Sequence, residues 1–225
     1  MAIPCPLCAS ADTETFHRDT RRPYRRCPAC ALVFVPAASH LALAAEKAQY
    51  DHHRNALDDP GYRRFLGRLA APVLARVPPG SSGLDVGCGP APLLARMLEE
   101  GGIAMRTWDP YYAPDDSAWA RQYDLVTASE VVEHYRAPGD EFTRLFAAVR
   151  PGGVLAIMTK RVRDAAAFAR WHYILDPTHI AFYSEATFAW LAARHGAQLE
   201  VTGDDVVVFT TATGENAPSS PARTP

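Results

Sequence analysis

Two Cys-x-x-Cys pairs, "CPLC" (Cys5, Cys8) and "CPAC" (Cys27, Cys30), stand eighteen residues apart in this 225-residue chain. That is the spacing of a four-thiolate zinc site. Each pair can supply two corners of a tetrahedron, and with no corner left open the ion would hold the fold and not react. A second cluster, "LDVGCGPAP", ends an apolar run on Asp85 and two glycines, Gly87 and Gly89. Without Cβ atoms these let the backbone turn sharply and come close to a ligand. Asp109 closes the next apolar run, where a carboxylate can take both hydroxyls of a ribose. An acid at position 85 would repel a pyrophosphate and suits a cationic ammonium group. Ala91 and Pro92 also replace the third glycine of a dinucleotide loop. The pattern therefore predicts S-adenosylmethionine (SAM) as ligand.

Two further stretches could act on an acceptor. In "SEVVEHY", Glu130, Glu133 and His134 stand at i, i+3 and i+4, on one side of a turn if it is helical. With His179 they make a candidate four-ligand set for a second divalent metal. Packing around the cofactor loop and direct acid–base use of His134 are the other readings. "WHYILDPTHIAFY" offers His172, Asp176, His179 and Tyr183, which could deprotonate or orient a hydroxyl or amine. Trp171 and Phe182 in that stretch read as core. His52, His53 and Asn55 in "YDHHRN" could cover the site or belong to a helical lid.

These groups need elements to hold them. "GYRRFLGRLAAPVLARV" places Tyr62, Phe65, Leu66 and Leu69 on one helical face. From Gly83 onward short apolar strands alternate with helices: "GLDVG", "PLLARMLEEGG", "IAMRTWD", "YDLVTASE", "GDEFTRLFAAVRPGG" and "VLAIMTK". Such alternation indicates a Rossmann-like, doubly wound α/β fold whose parallel sheet carries helices on both faces. The segment "APDDSAWARQ" makes a poor third strand. Ser184, Glu185 and Thr187 read as the cap of a helix. "AQLEVTG" and "DDVVVFTTA" are then too close for a crossover and form a C-terminal antiparallel hairpin. The expected organisation is a zinc ribbon over 1–36, a helical linker or lid over 37–82, the main domain over 83–212, and a disordered Pro- and Ser-rich tail over 213–225.

Together "LDVGCGPAP", Asp109, "YDLVTASEVVEHYRAP", "VRPGGVLAIMTK" and the closing hairpin resemble a class I SAM-dependent methyltransferase over about residues 60–212. "CPLC…YRRCPACALVF" and "YDHHRN…DPGYRRFL" resemble a bacterial subgroup whose ribbon precedes the catalytic domain. The resemblance implies that Asp85, Gly87 and Gly89 line the methionine and ribose end of SAM. It implies that Asp109 holds the ribose and that Ser129 and Glu130 lie beside the sulfonium. The adenine contact stays open between Asp115 and Asp116. The "EVVEH" segment is also similar to that of small-RNA 3′-terminal and ubiquinone-biosynthesis methyltransferases, where it binds a divalent metal.

The bulk numbers bound the function. Net charge is −2, so no global field draws nucleic acid or an anionic membrane. No apolar run approaches the ~20 residues of a membrane span, and the N-terminus lacks the pattern of a secretion signal; a cytoplasmic protein is expected. The leading expectation is methyl transfer to a small-molecule acceptor, with His179, His134 and Tyr183 as its catalytic groups. An RNA methyltransferase gripping phosphates through Arg18, Arg21, Arg22, Arg25 and Arg26 is one alternative. A non-catalytic SAM-binding ribbon module is another.

Overall fold

The computed structural model describes residues 3–51 and 56–213. His52, His53 and Asn55, and the tail beyond residue 213, lie outside the described residues. The chain begins with a cysteine-bearing hairpin: β1 (Glu14–Arg18) pairs antiparallel with β2 (Pro23–Arg26), and β2 with the short β3 (Val33–Phe34). Helices α1 (Leu43–Tyr50) and α2 (Pro60–Leu74) follow. α2 starts where Pro60 sets the first-turn φ and the Asp59 carboxylate accepts from the Gly61 and Tyr62 amides. Its buried stripe is Leu66, Leu69, Ala70 and Val73, while Tyr62 and Phe65 sit half-buried at its edge.

The main domain runs β4 (Ser82–Val86), α3 (Leu93–Glu100), β5 (Ala104–Trp108), β6 (Tyr123–Ser129), α4 (Pro138–Ala147) and β7 (Val149–Met158). It ends with α5 (Ala165–Phe168), β8 (Ala181–Phe182), α6 (Glu185–His195), β9 (Ala197–Thr202) and β10 (Val206–Thr211). The six-stranded sheet has the order β5-β4-β6-β7-β10-β9. Its first four strands are parallel, and β10 runs antiparallel to β7 and β9. The α/β class and the closing hairpin are therefore those the sequence predicts. Both faces of the sheet are covered. On β10, Val206 and Val208 pack under α2 and α3, while Val207 and Phe209 pack under α4 and α6. Period-two alternation between two dry faces is the signature of a fully buried strand. Where a third strand would fall, a 3-10 turn (Asp116–Ala120) joins β5 to β6. The segment has two acids, a proline and few β-formers, so nothing favours a pleated, half-buried surface there.

The two-residue β8 leaves the central sheet. It pairs with β3 of the cysteine hairpin, Val33 opposite Phe182 and Phe34 opposite Ala181, to close the four-stranded sheet β1-β2-β3-β8. Cys5, Cys27, Cys30, Leu32 and Phe34 share one buried cluster with Phe142, Tyr183 and Phe188 of the main domain. Gly139, in the first turn of α4, donates its amide to the Pro6 carbonyl at 3.2 Å. A Cβ there would lie 2.6 Å from the Leu7 carbonyl oxygen, so only glycine allows this approach.

Candidate active site and cysteine cluster

The carboxyl ends of β4, β5 and β6 open onto a cleft of about 760 Å³. In α/β sheets this is where ligands bind. Its floor is the glycine loop. Gly87 (φ 71°) and Gly89 (φ 64°) both take left-handed backbone that glycine adopts without strain. A Cβ on Gly87 would strike the Val131 side chain at 2.4 Å, whereas one on Gly89 would meet nothing within 4 Å. The loop is tied to β5: Gly87 N–H donates to the Trp108 carbonyl at 2.7 Å, and Gly89 N–H to Asp109 Oδ2 at 3.0 Å. Asp109 Oδ1 also accepts from the amides of Tyr111 and Tyr112. A carboxylate offers about four lone-pair sites. Three are taken by backbone amides.

Asp85 sits beneath the loop, 3% exposed, and accepts from Thr127 Oγ1 at 2.6 Å. It does not line the cleft, and its hydrogen bond is to the neighbouring strand β6. Burial pushes its carboxyl up to about 7. Asp115 and Asp116 are also outside the cleft. Asp115 caps the 3-10 turn and pairs with Arg106, and Asp116 accepts from Trp108 Nε1.

Past β6 the chain enters a 3-10 turn (Val132–His134), not an α-helix. Glu130 precedes it with φ 52°, left-handed for a non-glycine residue. Glu130, Glu133 and His134 consequently do not form one helical face. The two carboxylates instead converge on Tyr173, whose hydroxyl donates to Glu133 Oε1 and lies 3.2 Å from Glu130 Oε2. Thr159 Oγ1 donates to Glu133 Oε2 at 3.0 Å. Burial raises Glu130 to about 7 and Glu133 to about 8, and Glu133 also feels the neighbouring Glu130.

Each histidine gives Nδ1–H to a backbone carbonyl: His134 to Thr178 at 3.1 Å and His179 to Tyr173 at 2.8 Å. A carbonyl can only accept, so each Nδ1 carries its proton, and His179 Nε2 lies 3.8 Å from Asp176 Oδ2. The rings are 4.8 Å apart, and both line the cleft with Asp176. Glu133, His134 and His179 can each offer one ligand atom within 4.8 Å of the others. Glu130 is not in that set, and both Glu133 oxygens already accept from hydroxyls, so a metal there would displace one of those bonds.

Tyr183, expected beside the acceptor, is a correction: it is fully buried, donates to the Val132 carbonyl at 2.8 Å and stacks on Phe188. Its side chain is a core strut because β8 turns it away from the cleft. His172 is likewise outside the cleft, exposed and 2.9 Å from Lys160 Nζ. Phe182 and Trp171 pack with Tyr173 and Phe168, as core residues. Sequence reading missed Tyr173, the hydroxyl joining both carboxylates. It missed the aromatic lining too: Tyr50, Tyr62, Phe65, Tyr111 and Tyr112. The doublet "DPYY" just after Asp109 was the available signal.

Whether a ligand is wanted can be judged from unpaired polar atoms. Ser129 Oγ, Glu130 Oε1 and Tyr135 OH are buried with no hydrogen-bond partner among the described residues, and all three residues line the cleft. Leaving such groups unpaired costs about 1–3 kcal/mol each, so the polar wall behind the cleft is not satisfied from within. The cysteines meet the same standard. Cys5 Sγ and Cys30 Sγ, and Cys8 Sγ and Cys27 Sγ, lie 3.5 Å apart, and all four ligand atoms fall within 4.8 Å of one another. Each pair ends in an alanine forced to positive φ, Ala9 at 60° and Ala31 at 58°, whose amide donates back to the first cysteine's carbonyl. Two matching strained turns facing one point suit a tetrahedral ion.

A glycine loop tied to an acidic strand end, within this strand order and with a closing hairpin, defines the methyltransferase class of α/β fold. The family model described as "Methyltransferase domain" matches residues 50–201, and the chain belongs to that family. No curated protein matches the chain. An O-methyltransferase family protein from Burkholderia thailandensis is similar in structure at 16% identity and TM-score 0.50, with 75% of this chain and 63% of that chain covered. The 1,6-didemethyltoxoflavin-N1-methyltransferase of the same organism, solved with its substrate and S-adenosylhomocysteine, is similar at 18% identity and TM-score 0.50. It covers 88% of this chain and 99% of its own. At those identities the likeness is one of fold. Among the described residues no helix is long and apolar enough to cross a membrane.

Proposed function

We propose that the chain transfers a methyl group from SAM to a small-molecule acceptor bound in this cleft. The observation that carries this reading is the glycine loop tied to the acidic end of β5 and opening onto an aromatic-lined cleft, in a chain of the methyltransferase family. Bound SAM would supply an already activated methyl on a sulfonium sulfur. The chain's task is then alignment, which accounts for most of the rate in such reactions. Gly87 and Gly89 give the backbone access for the donor's amino-acid and ribose portions, and Asp109 takes a ribose hydroxyl. Ser129 and Glu130 face the reacting end. His179 or His134, presenting Nε2, can accept a proton from an acceptor hydroxyl or amine as the new bond forms. Tyr50, Tyr111 and Tyr112 exclude water from a flat acceptor.

The 1,6-didemethyltoxoflavin-N1-methyltransferase among the structural neighbours binds 1,6-didemethyltoxoflavin and S-adenosylhomocysteine, which accords with a small-molecule acceptor. Of the five ribbon arginines of the RNA reading, Arg22 is buried and Arg25 hydrogen-bonds to Thr13, while Arg18, Arg21 and Arg26 are exposed. The four cysteines would hold a structural zinc, as their donor set suits. Calorimetric titration with SAM and with NAD tests the donor: micromolar SAM binding and none for NAD is expected, and the reverse would end this reading.

A further inference from the structure

Every carbonyl oxygen from Tyr173 to Thr178 accepts a side-chain hydrogen bond. The cysteine hairpin supplies the middle four donors. Arg21 Nη1 donates to Leu175 O at 3.3 Å, Arg22 Nη1 to Pro177 O at 2.9 Å, and Arg22 Nη2 to Ile174 O at 3.1 Å and Asp176 O at 2.8 Å. The cleft supplies the outer two: His179 Nδ1 to Tyr173 O and His134 Nδ1 to Thr178 O. One turn thus has ribbon arginines on one side and the two site histidines on the other. Arg22 is 7% exposed, its Nε donates to Tyr24 OH at 3.0 Å, and its own amide is anchored on Asp19. A planar guanidinium held in this way presents its donors in a fixed fork, which a lysine cannot reproduce. The backbone runs parallel to this link: Val35 N–H donates to Ile180 O, and Ile180 N–H to Glu133 O, both at 2.8 Å.

We propose that Arg22 is a positioning residue that sets the place and tautomer of His134 and His179 by clamping the turn whose carbonyls those rings use. The ribbon is then part of the acceptor wall and not a separate grip. The proposal rests on the methyl-transfer reading only for what the histidines are positioned to do.

Ring 15N NMR of the full chain at pH 8, with amide hydrogen exchange, tests the clamp. In the unmodified protein both histidines should show protonated Nδ1 and unprotonated Nε2. In Arg22→Ala both rings should become tautomer mixtures, and exchange at Thr178, His179 and Ile180 should rise at least tenfold. Arg22→Lys, which keeps the charge without the fork, should fall between and replaces the alanine variant if that fails to fold. Val73→Ala, a buried α2 change remote from the turn, serves as the control for general destabilisation and should move neither signal. SAM affinity should stay within twofold throughout. Unchanged rings and exchange in the Arg22 variants, a different tautomer in the unmodified protein, or equal changes in Val73→Ala would overturn the clamp. Loss of SAM binding in the unmodified protein would instead remove the methyl-transfer reading and leave the clamp standing on its own signals.

Discussion

Gly87 and Gly89 share a left-handed backbone, yet their surroundings differ, and that difference is measurable. A Cβ at Gly87 collides with Val131, so Gly87→Ala combines dihedral strain with overpacking and should cost about 3 kcal/mol in urea unfolding. Gly89→Ala has open space and should cost about 1 kcal/mol. Equal losses would mean the loop is not held as described. Glu133 makes a second residue-scale prediction. Its folded-state value, about 8, exceeds the ordinary 4.5. The folded protein therefore keeps a proton that the unfolded chain releases, and this contribution to stability is present below about 4.5 and lost as pH rises to 8. Glu130 and Asp85, each near 7, act in the same direction, and His195, lowered to about 4 by burial, acts in the opposite one. The test is thus a difference: Glu133→Gln should flatten the fall of Tm between pH 5 and 8, and parallel Tm curves would show that Glu133 ionises normally.

At the scale of elements, strand alternation and caps were legible. The Ser184 hydroxyl accepts from the Thr187 amide and the Thr187 hydroxyl takes the Ser184 amide, the reciprocal cap that the local sequence predicts. "SEVVEHY" lines the cleft, but its spacing is misleading as a helix. The left-handed Glu130 and the 3-10 turn arise because β6 must end against β7, with Glu130 N–H on the Met158 carbonyl at 2.7 Å. Local spacing does not contain that constraint. β8 was not legible either: two residues of "DPTHIAFY" pair with a hairpin some 150 residues earlier, a register set by long-range packing.

At the scale of the whole molecule, the cysteine hairpin and the main domain share a core. Zinc removal should therefore destabilise everything. We expect near one zinc per chain by elemental analysis, absent in Cys5→Ser and Cys27→Ser, with a Tm lowered by several degrees in a single transition. Two separate transitions would show that the hairpin is independent. A second metal equivalent lost only in His179→Ala would assign the Glu133, His134, His179 set; its absence in the unmodified protein removes that reading.

By itself the sequence determined the four-thiolate set, the glycine loop with its acidic partner, the α/β alternation and the closing hairpin. Each depends on residue type at short, regular spacing, which local stereochemistry reads directly. The tertiary structure alone decided that Tyr183 is core, that Tyr173 joins two carboxylates, that Asp85 is buried on Thr127, and that Arg22 bonds the turn preceding His179. Those roles depend on which side of a distant strand a residue faces, and burial and hydrogen-bond satisfaction settle that only once the two sheets have closed on one another.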